Sequence, residues 1–172
     1  ISNEEMLVQA RVHLPEYFKS DFDRLRDRAT TLSEKVVSNL IDRSELLRSD
    51  VPAIETLLEQ AIRHHKFIQF AYLVDLNGRK VTRNITQDVY KGKFEEKFHQ
   101  DEDFSGRDWF KTALKHKDMY VSDFYTSRIT GALCLTVSAP VHDPQTDEIK
   151  GVLCVDIRFE DLARMESLST DG

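Results

Sequence analysis

Histidines and cysteines are the side chains of this sequence that could hold a metal ion, bind haem or undergo redox chemistry. Cys134 and Cys154 each lie in an apolar run, and two thiols are too few for a disulfide framework or a metal site. We expect buried free thiols; a disulfide would need neighbouring strands that bring the Cα atoms within about 7 Å. The histidines are scattered over predicted helices, loops and strand ends: His13, His64, His65, His99, His116 and His142. Such a spread predicts neither a metal site nor a haem site.

The common catalytic motifs are missing from the sequence. It contains no glycine-rich phosphate loop, no Gly-x-Ser-x-Gly elbow, no His-Glu-x-x-His and no paired Cys-x-x-Cys. The acidic stretch of Glu95, Glu96, Asp101, Glu102 and Asp103 could attract cations, but such stretches are more often solvated loops. The sequence therefore predicts that the chain is not an enzyme and carries no cofactor.

The N-terminal third has helical periodicity. Apolar side chains recur every three or four positions from Leu14 to Leu40, with charged residues between them. This predicts one long amphipathic helix of about 30 residues, or roughly 45 Å, which is longer than one core of this size needs. We therefore expect part of residues 1–48 to form a homodimer seam. Asp50 and Pro52 begin a second helix that ends near His64 and His65.

Beyond residue 66 the period becomes that of β-strands. The Asn77-Gly78 pair predicts a hairpin between strands 67–74 and 80–85. A polar loop over 86–106 and a short helix over 107–116 follow. The remaining elements are strands 119–125, 132–141 and 150–159 and an exit helix over 160–165. This order predicts an α+β domain in which a long N-terminal helix and shorter helices pack on a five-stranded antiparallel sheet.

Composition sets the class of protein. The 172 residues are 40% hydrophobic and 31% charged, which predicts a single globular domain. A net charge of −6 argues against nucleic-acid binding, which depends on clustered Lys and Arg. No apolar run approaches the roughly 20 residues that cross a bilayer as a helix.

Four motifs between residues 104 and 157 carry the functional signal. In order they are Arg107-x-Trp109-Phe110, Tyr120-x-Ser122-x-x-Tyr125, Thr136-x-Ser138-x-Pro140-Val141 and Gly151-Val152-x-x-x-Asp156-Ile157. In order and spacing they resemble the Cache family of bacterial sensor domains, which are extracytoplasmic, PAS-like (PDC-type) units of chemoreceptors, histidine kinases and cyclic-dinucleotide enzymes. The resemblance implies one sensor domain over 1–172, with a PAS-like ligand-binding unit over 50–165.

The family resemblance also implies a pocket between the sheet and the loop-plus-helix layer. There Arg107 would offer its donor fork to a ligand carboxylate, beside an apolar wall of Trp109 and Phe110. Tyr125 would line the same pocket, with Tyr120 as a weaker candidate. Arg107 could instead pair only with Asp103 or Asp108, and the aromatic side chains could belong only to the core.

Asp156 matches the family position that receives a ligand ammonium group. Asp156 and Arg107 in one pocket would suit an amino acid. Members of the family that bind amino acids place a tyrosine five residues before the arginine, where this sequence has Glu102. The expected ligand is therefore a small carboxylate, an amino acid or an amine.

Three functional hypotheses follow. The first is a sensor input domain that passes ligand occupancy through its terminal helices to an output signalling module. The second is a dimerisation module with a vestigial pocket that holds an associated enzyme. The third is a haem or redox sensor that uses His99, His116 or the cysteines. The resemblance favours an extracytoplasmic sensor region of a membrane protein, whereas the two thiols fit a cytoplasmic setting equally well.

Overall fold

The computed structural model describes residues 16–47, 50–92, 102–127 and 130–170. The candidate residues His13, Leu14, Glu95, Glu96, His99 and Asp101 lie outside these ranges, as does the side chain of Phe18. The helices are α1 (Glu16–Ile41), α2 (Val51–His64), α3 (Asp108–His116) and α4 (Phe159–Thr170), with short 3₁₀ turns at Ser44–Leu47 and Asp88–Tyr90. The strands are β1 (Ile68–Val74), β2 (Ile85–Thr86), β3 (Tyr120–Val121), β4 (Tyr125–Thr126), β5 (Leu133–His142) and β6 (Ile149–Arg158).

The strands form one antiparallel sheet in the order β2-β1-β6-β5-β3, and β4 also pairs with β5. The predicted α+β class, with helices packed on an antiparallel sheet, is confirmed. The second helix also begins as predicted, because the Asp50 side chain accepts a hydrogen bond from the Ala53 amide.

The strand predicted over 119–125 is divided into β3 and β4. Arg26 of α1 donates to the carbonyl oxygens of Val121 (2.5 Å) and Ser122 (3.3 Å). The Ser122 hydroxyl oxygen accepts the Thr136 amide at 2.9 Å. Side-chain groups of Arg26 and Ser122 therefore replace strand-to-strand backbone hydrogen bonds at this point. The sheet has six strands where five were predicted, because one predicted strand is divided in two.

The predicted return strand over 80–85 is confirmed only in part, because this segment pairs with β1 at its two ends and not between them. The Asn77-Gly78 turn is present, with Gly78 at φ +82°. Before β2 the returning chain pairs with β1 through an isolated bridge from Lys80 to Val74 and through a hydrogen bond from the Val81 amide to the Leu73 carbonyl, at 2.8 Å. The Leu73 amide donates to the Thr82 hydroxyl at 3.1 Å. Since a side chain provides that acceptor, a regular ladder does not form along residues 81–84.

One face of the sheet, the helical face, carries α1, α2 and α4. The predicted stripe of α1 lies in the chain's own core here: Phe22, Leu25, Ala29, Val36 and Leu40 are buried, and Leu32 is partly buried. Burial of each large apolar side chain contributes on the order of 2 kcal/mol to stability. Over the described side chains, the stripe is therefore accounted for by intrachain packing, and the homodimer remains a prediction.

The opposite face, called the front face below, carries α3 and the segment before it. A second apolar cluster lies between them and the sheet: Tyr72, Val74, Phe104, Trp109, Phe110, Ala113, Val152 and Cys154. The Ser138 hydroxyl donates to the Trp109 carbonyl at 2.9 Å, which joins α3 to β5. The front face is thus apolar under α3, and its neighbouring positions on β4, β5 and β6 carry polar residues.

Candidate functional site

Register places polar residues of two neighbouring strands, β5 and β6, directly opposite each other, as one polar row. Asp156 of β6 lies opposite Thr136 of β5 and Phe70 of β1. Directly opposed residues of an antiparallel pair point to the same face. Because Cys154 and Ser138, two positions along, face α3, Asp156 and Thr136 also belong to the front face.

A chain of hydrogen bonds joins Tyr125, Thr136 and Asp156. The Thr136 hydroxyl donates to Oδ1 of Asp156 at 2.8 Å, and the Tyr125 hydroxyl lies 2.5 Å from Thr136 Oγ1. Since the single hydroxyl proton of Thr136 goes to Asp156, Tyr125 is the donor in the other bond. The structure thus brings together two of the predicted site residues, Tyr125 and Asp156, through a threonine.

Asp156 is buried, with a relative exposure of 8% for the whole residue. Burial raises its pKa to about 7, while the hydrogen bond from Thr136 and the charges of Arg107 and Lys80 oppose that rise. Near neutral pH the carboxyl is therefore divided between its charged and protonated forms. The charged form can accept a hydrogen bond from an ammonium group, and the protonated form can donate one to an oxygen.

Arg107 immediately precedes α3 and is half-buried. Its charge acts on Asp156, Cys134 and Tyr72, so the guanidinium faces the polar row. Within the described ranges it has no side-chain hydrogen bond or ion pair. Asp103 instead accepts the Ser105 amide, and Asp108 lies 3.9 Å from Lys111. The guanidinium fork is therefore available to a ligand.

Trp109 and Phe110 are buried in the aromatic cluster under α3. The Trp109 ring centre lies 5.4 Å from that of Phe104 and 6.3 Å from that of Tyr72. Tyr120 is half-buried against the same cluster, opposite Ser138. These three predicted site residues have packing roles that hold α3 on the sheet, and their contact with a ligand remains a prediction.

Two buried residues of the front face are absent from the sequence-based site. Tyr72 of β1 is buried, and desolvation followed by the charge of Asp156 raises the pKa of its phenol. Lys80 is 4% exposed, and its Nζ donates to Asn84 Oδ1 at 2.9 Å. Alternation along β1 could have placed Tyr72 on this face, but nothing in the sequence distinguishes Lys80 from a solvated strand lysine.

Both cysteines are buried and free, as predicted. Cys134 lies opposite Arg158 while Cys154 lies opposite Ser138, so the two are four positions apart along neighbouring strands. This separation is roughly 13 Å, too long for a disulfide. Burial raises the pKa of both thiols, which disfavours the reactive thiolate.

Metal-binding clusters and membrane-spanning helices are both missing from the described part of the chain. No group of three His, Cys, Asp or Glu side chains there is placed to hold a metal ion. None of its helices has the length and apolar character of a membrane span. His116 lies in the last turn of α3.

The sequence matches, over residues 54–164, the family described as "Methyl-accepting chemotaxis protein-like, first PDC sensor domain". The chain belongs to this family. The predicted membership of the Cache class of sensor domains is confirmed, and the family and fold are those of a ligand-sensing domain rather than of an enzyme.

Solved structures share the fold. The ligand-binding domain of the Campylobacter jejuni chemoreceptor Tlp3, in complex with 4-methylisoleucine, superposes with a TM-score of 0.60 at 20% identity, over 86% of this chain and 62% of that one. The ligand-binding domain of the Pseudomonas aeruginosa PAO1 amino acid chemoreceptor PctC, in complex with GABA, gives 0.56 at 24% identity, over 83% and 60%. The Bacillus subtilis protein YkuI, which has an EAL domain, gives 0.60 at 18% identity, over 86% and 36%.

One relative is named as an enzyme rather than as a sensor. Citrate (Re)-synthase of Syntrophus aciditrophicus (strain SB) is 40% identical over 164 residues, which are 95% of this chain and 26% of that protein. The chain therefore spans about a quarter of the length of this relative and about three fifths of the chemoreceptor structures.

Proposed function

We propose that this chain is a signal-sensing input domain whose ligand is a small polar molecule held on the front face. The observation that carries the proposal is the convergence of the Arg107 guanidinium with the hydrogen-bonded chain of Tyr125, Thr136 and Asp156. Arg107 binds a ligand carboxylate in this proposal, and Asp156 binds an ammonium or hydroxyl group.

The proposed ligand class is a small carboxylate, an amino acid or an amine. The two chemoreceptor domains were solved with an isoleucine derivative and with GABA, and both compounds carry an ammonium and a carboxylate group. The pairing of Arg107 with Asp156 supports the same chemistry here. Glu102, whose charge acts on Lys80, makes the polar end of the site differ from that of an amino-acid receptor.

A hydrogen-bond path supports transmission of ligand occupancy to the terminal helices. Thr136, which contacts Asp156, exchanges hydrogen bonds with the amide and hydroxyl of Ser122. Arg26 of α1 holds the carbonyls of Val121 and Ser122. A ligand that shifts Tyr125 or Thr136 would thus strain the hydrogen bonds of Arg26. It changes the arrangement of the terminal helices only if it binds one arrangement more tightly than the other.

The output module and the cellular location belong to the proposal as well. The chemoreceptor neighbours favour an extracytoplasmic sensor region joined to a signalling module. The curated relative favours a second candidate, in which the domain is joined to a catalytic module and regulates or dimerises it. Membrane fractionation of the full-length protein separates the two: a membrane-bound protein favours the first, and a freely soluble one the second.

The ligand proposal is tested by melting-temperature measurements with a panel of amino acids, amines and carboxylic acids. Saturating ligand, at about 100 times its Kd, adds about 2.7 kcal/mol of stability, which raises the Tm of a domain of this size by roughly 5–10 °C. We expect Arg107→Ala to abolish the rise. The matched control is Lys111→Ala, on the exposed side of α3.

Two outcomes of this experiment count against a functional pocket. One is a panel in which no compound shifts the Tm of the wild type. The other is a ligand response that Arg107→Ala and Lys111→Ala leave equally intact. A dimer that persists without any ligand, together with the first outcome, would favour the dimerisation module.

A further inference from the structure

Lys80 is a buried cation whose hydrogen bonds are incompletely used. Its ammonium group has three donors, and the one side-chain acceptor that it reaches is the neutral amide oxygen of Asn84, at 2.9 Å. Within the described ranges no carboxylate forms an ion pair with it. A buried charge is costly unless it is paired and hydrogen-bonded, so an anion bound at this position would stabilise the ammonium group.

Lys80 faces the same space as the proposed ligand site. Its Nζ lies 5.7 Å from the ring centre of Tyr72, which is buried on the front face. The charges of Lys80 and Arg107 both act on the Asp156 carboxyl. The site therefore has two cationic groups, Lys80 and Arg107, around the Asp156 carboxyl, and the charge of Glu102 also acts on Lys80. A ligand with a single carboxylate needs only one of the two cations.

We propose that Lys80 binds a second acidic group of the ligand, so that the site selects a short dicarboxylic acid held between Lys80 and Arg107. This inference rests on the proposed function, since it assigns Arg107 to the first carboxylate. The ligand carboxylate accepts hydrogen bonds from the Lys80 donors that the described residues leave unused, and it provides a counter-charge at that position. Lys80 is thus a specificity-determining residue.

Glu102 is the protein group that competes with such a ligand. It is partly buried, and its charge acts on Lys80 without forming an ion pair with it among the described residues. The Lys80 amide donates to the Glu102 carbonyl at 3.1 Å, which keeps the two residues adjacent. Removal of the Glu102 charge should therefore favour a dicarboxylate at Lys80.

The test compares diacids with monoacids of the same chain length by calorimetric titration: succinate with butyrate, and glutarate with valerate. We expect the wild type to bind a diacid at least about tenfold more tightly than its monoacid. Lys80→Met should remove this preference, so that a diacid binds no more tightly than its monoacid. The control Lys115→Met makes the same charge change on the exposed side of α3 and should keep the preference.

Glu102→Gln keeps the test decisive if Lys80→Met does not fold. This variant should tighten diacid binding several-fold more than monoacid binding. If monoacids or amino acids bind and Arg107→Ala abolishes their binding, but the wild type shows no diacid preference, the role of Lys80 is refuted and the sensor function stands. If the wild type binds no carboxylic acid, amino acid or amine, both proposals fail.

Discussion

The Thr136 hydroxyl donates a 2.8 Å hydrogen bond to Oδ1 of Asp156, directly across β5 and β6. The same hydroxyl oxygen accepts from Tyr125, and the Thr136 amide donates to Ser122, which Arg26 contacts from α1. One threonine therefore connects the Asp156 carboxyl, which is the proposed contact for the ligand, to both the edge of the sheet and a terminal helix.

The first prediction concerns that threonine. Thr136→Val keeps the shape of the side chain but removes the donor to Asp156 and the acceptor for Tyr125. We expect a loss of about 1–3 kcal/mol in the free energy of unfolding, because two buried polar groups lose their partner. Urea denaturation measures it, and Thr136→Ser, which retains the hydroxyl, should recover most of the loss. Equal losses in the two variants would show that the methyl group matters as much as the hydrogen bonds, and would contradict this prediction.

The second prediction concerns pH. Burial raises the pKa of Asp156 from its ordinary 3.8 to about 7, so between these values the folded protein keeps a proton that the unfolded chain releases. The bound proton therefore stabilises the folded protein fully below about pH 4. This stabilisation, roughly 4 kcal/mol in total, is lost as the pH rises to about 7. Across that window the wild type should lose stability relative to Asp156→Asn. Parallel stability–pH curves for the two proteins would contradict the raised pKa.

The third prediction concerns the turn that supports the loop before α3. A Cβ on Gly78 would lie 2.4 Å from the Ser105 amide nitrogen, and the Phe104 amide donates to the Gly78 carbonyl at 2.7 Å. Gly78→Ala should cost at least about 2 kcal/mol of stability and weaken ligand binding by displacing Arg107. Gly131→Ala is the matched control, since its φ of +72° is similar but nothing lies within 4 Å of its Cβ position. Equal losses would mean that backbone conformation, and not the Ser105 contact, decides the effect.

The sequence predicted most of this architecture because its periodicities are local. The helical repeat of α1, the Asp50 cap of α2 and the alternation in β5 and β6 depend on neighbouring residues. The break between β3 and β4 could not be predicted, because it depends on Arg26, which lies 95 residues before the carbonyl that it binds at Val121.

The candidate site was predictable to the extent that motif residues carry it. Resemblance to a family selected Arg107, Tyr125 and Asp156, and the structure places all three around one polar row. Lys80 was not predicted as a site residue because a lysine in a polar segment is normally solvated. Its burial arises from the irregular path of residues 80–84.

The fourth prediction concerns transmission. Arg26→Met removes the hydrogen bonds to Val121 and Ser122 but leaves the front face untouched. We expect ligand affinity to change by no more than about threefold, while ligand-induced changes in amide hydrogen exchange along α1 disappear. Arg24→Met, on the exposed side of the same helix, is the control and should retain them. An unchanged exchange response in Arg26→Met would refute this route.

The central claim is that the ligand lies on the front face between Arg107 and the chain of Tyr125, Thr136 and Asp156. The most direct measurement is a crystal structure of the domain with the compound that raises its Tm most. We expect a ligand carboxylate within hydrogen-bond distance of the Arg107 guanidinium and a polar ligand group on Asp156. A ligand found instead in the cavity of about 200 Å³ between α1 and α2, beside Arg43 and His64, would contradict the claim.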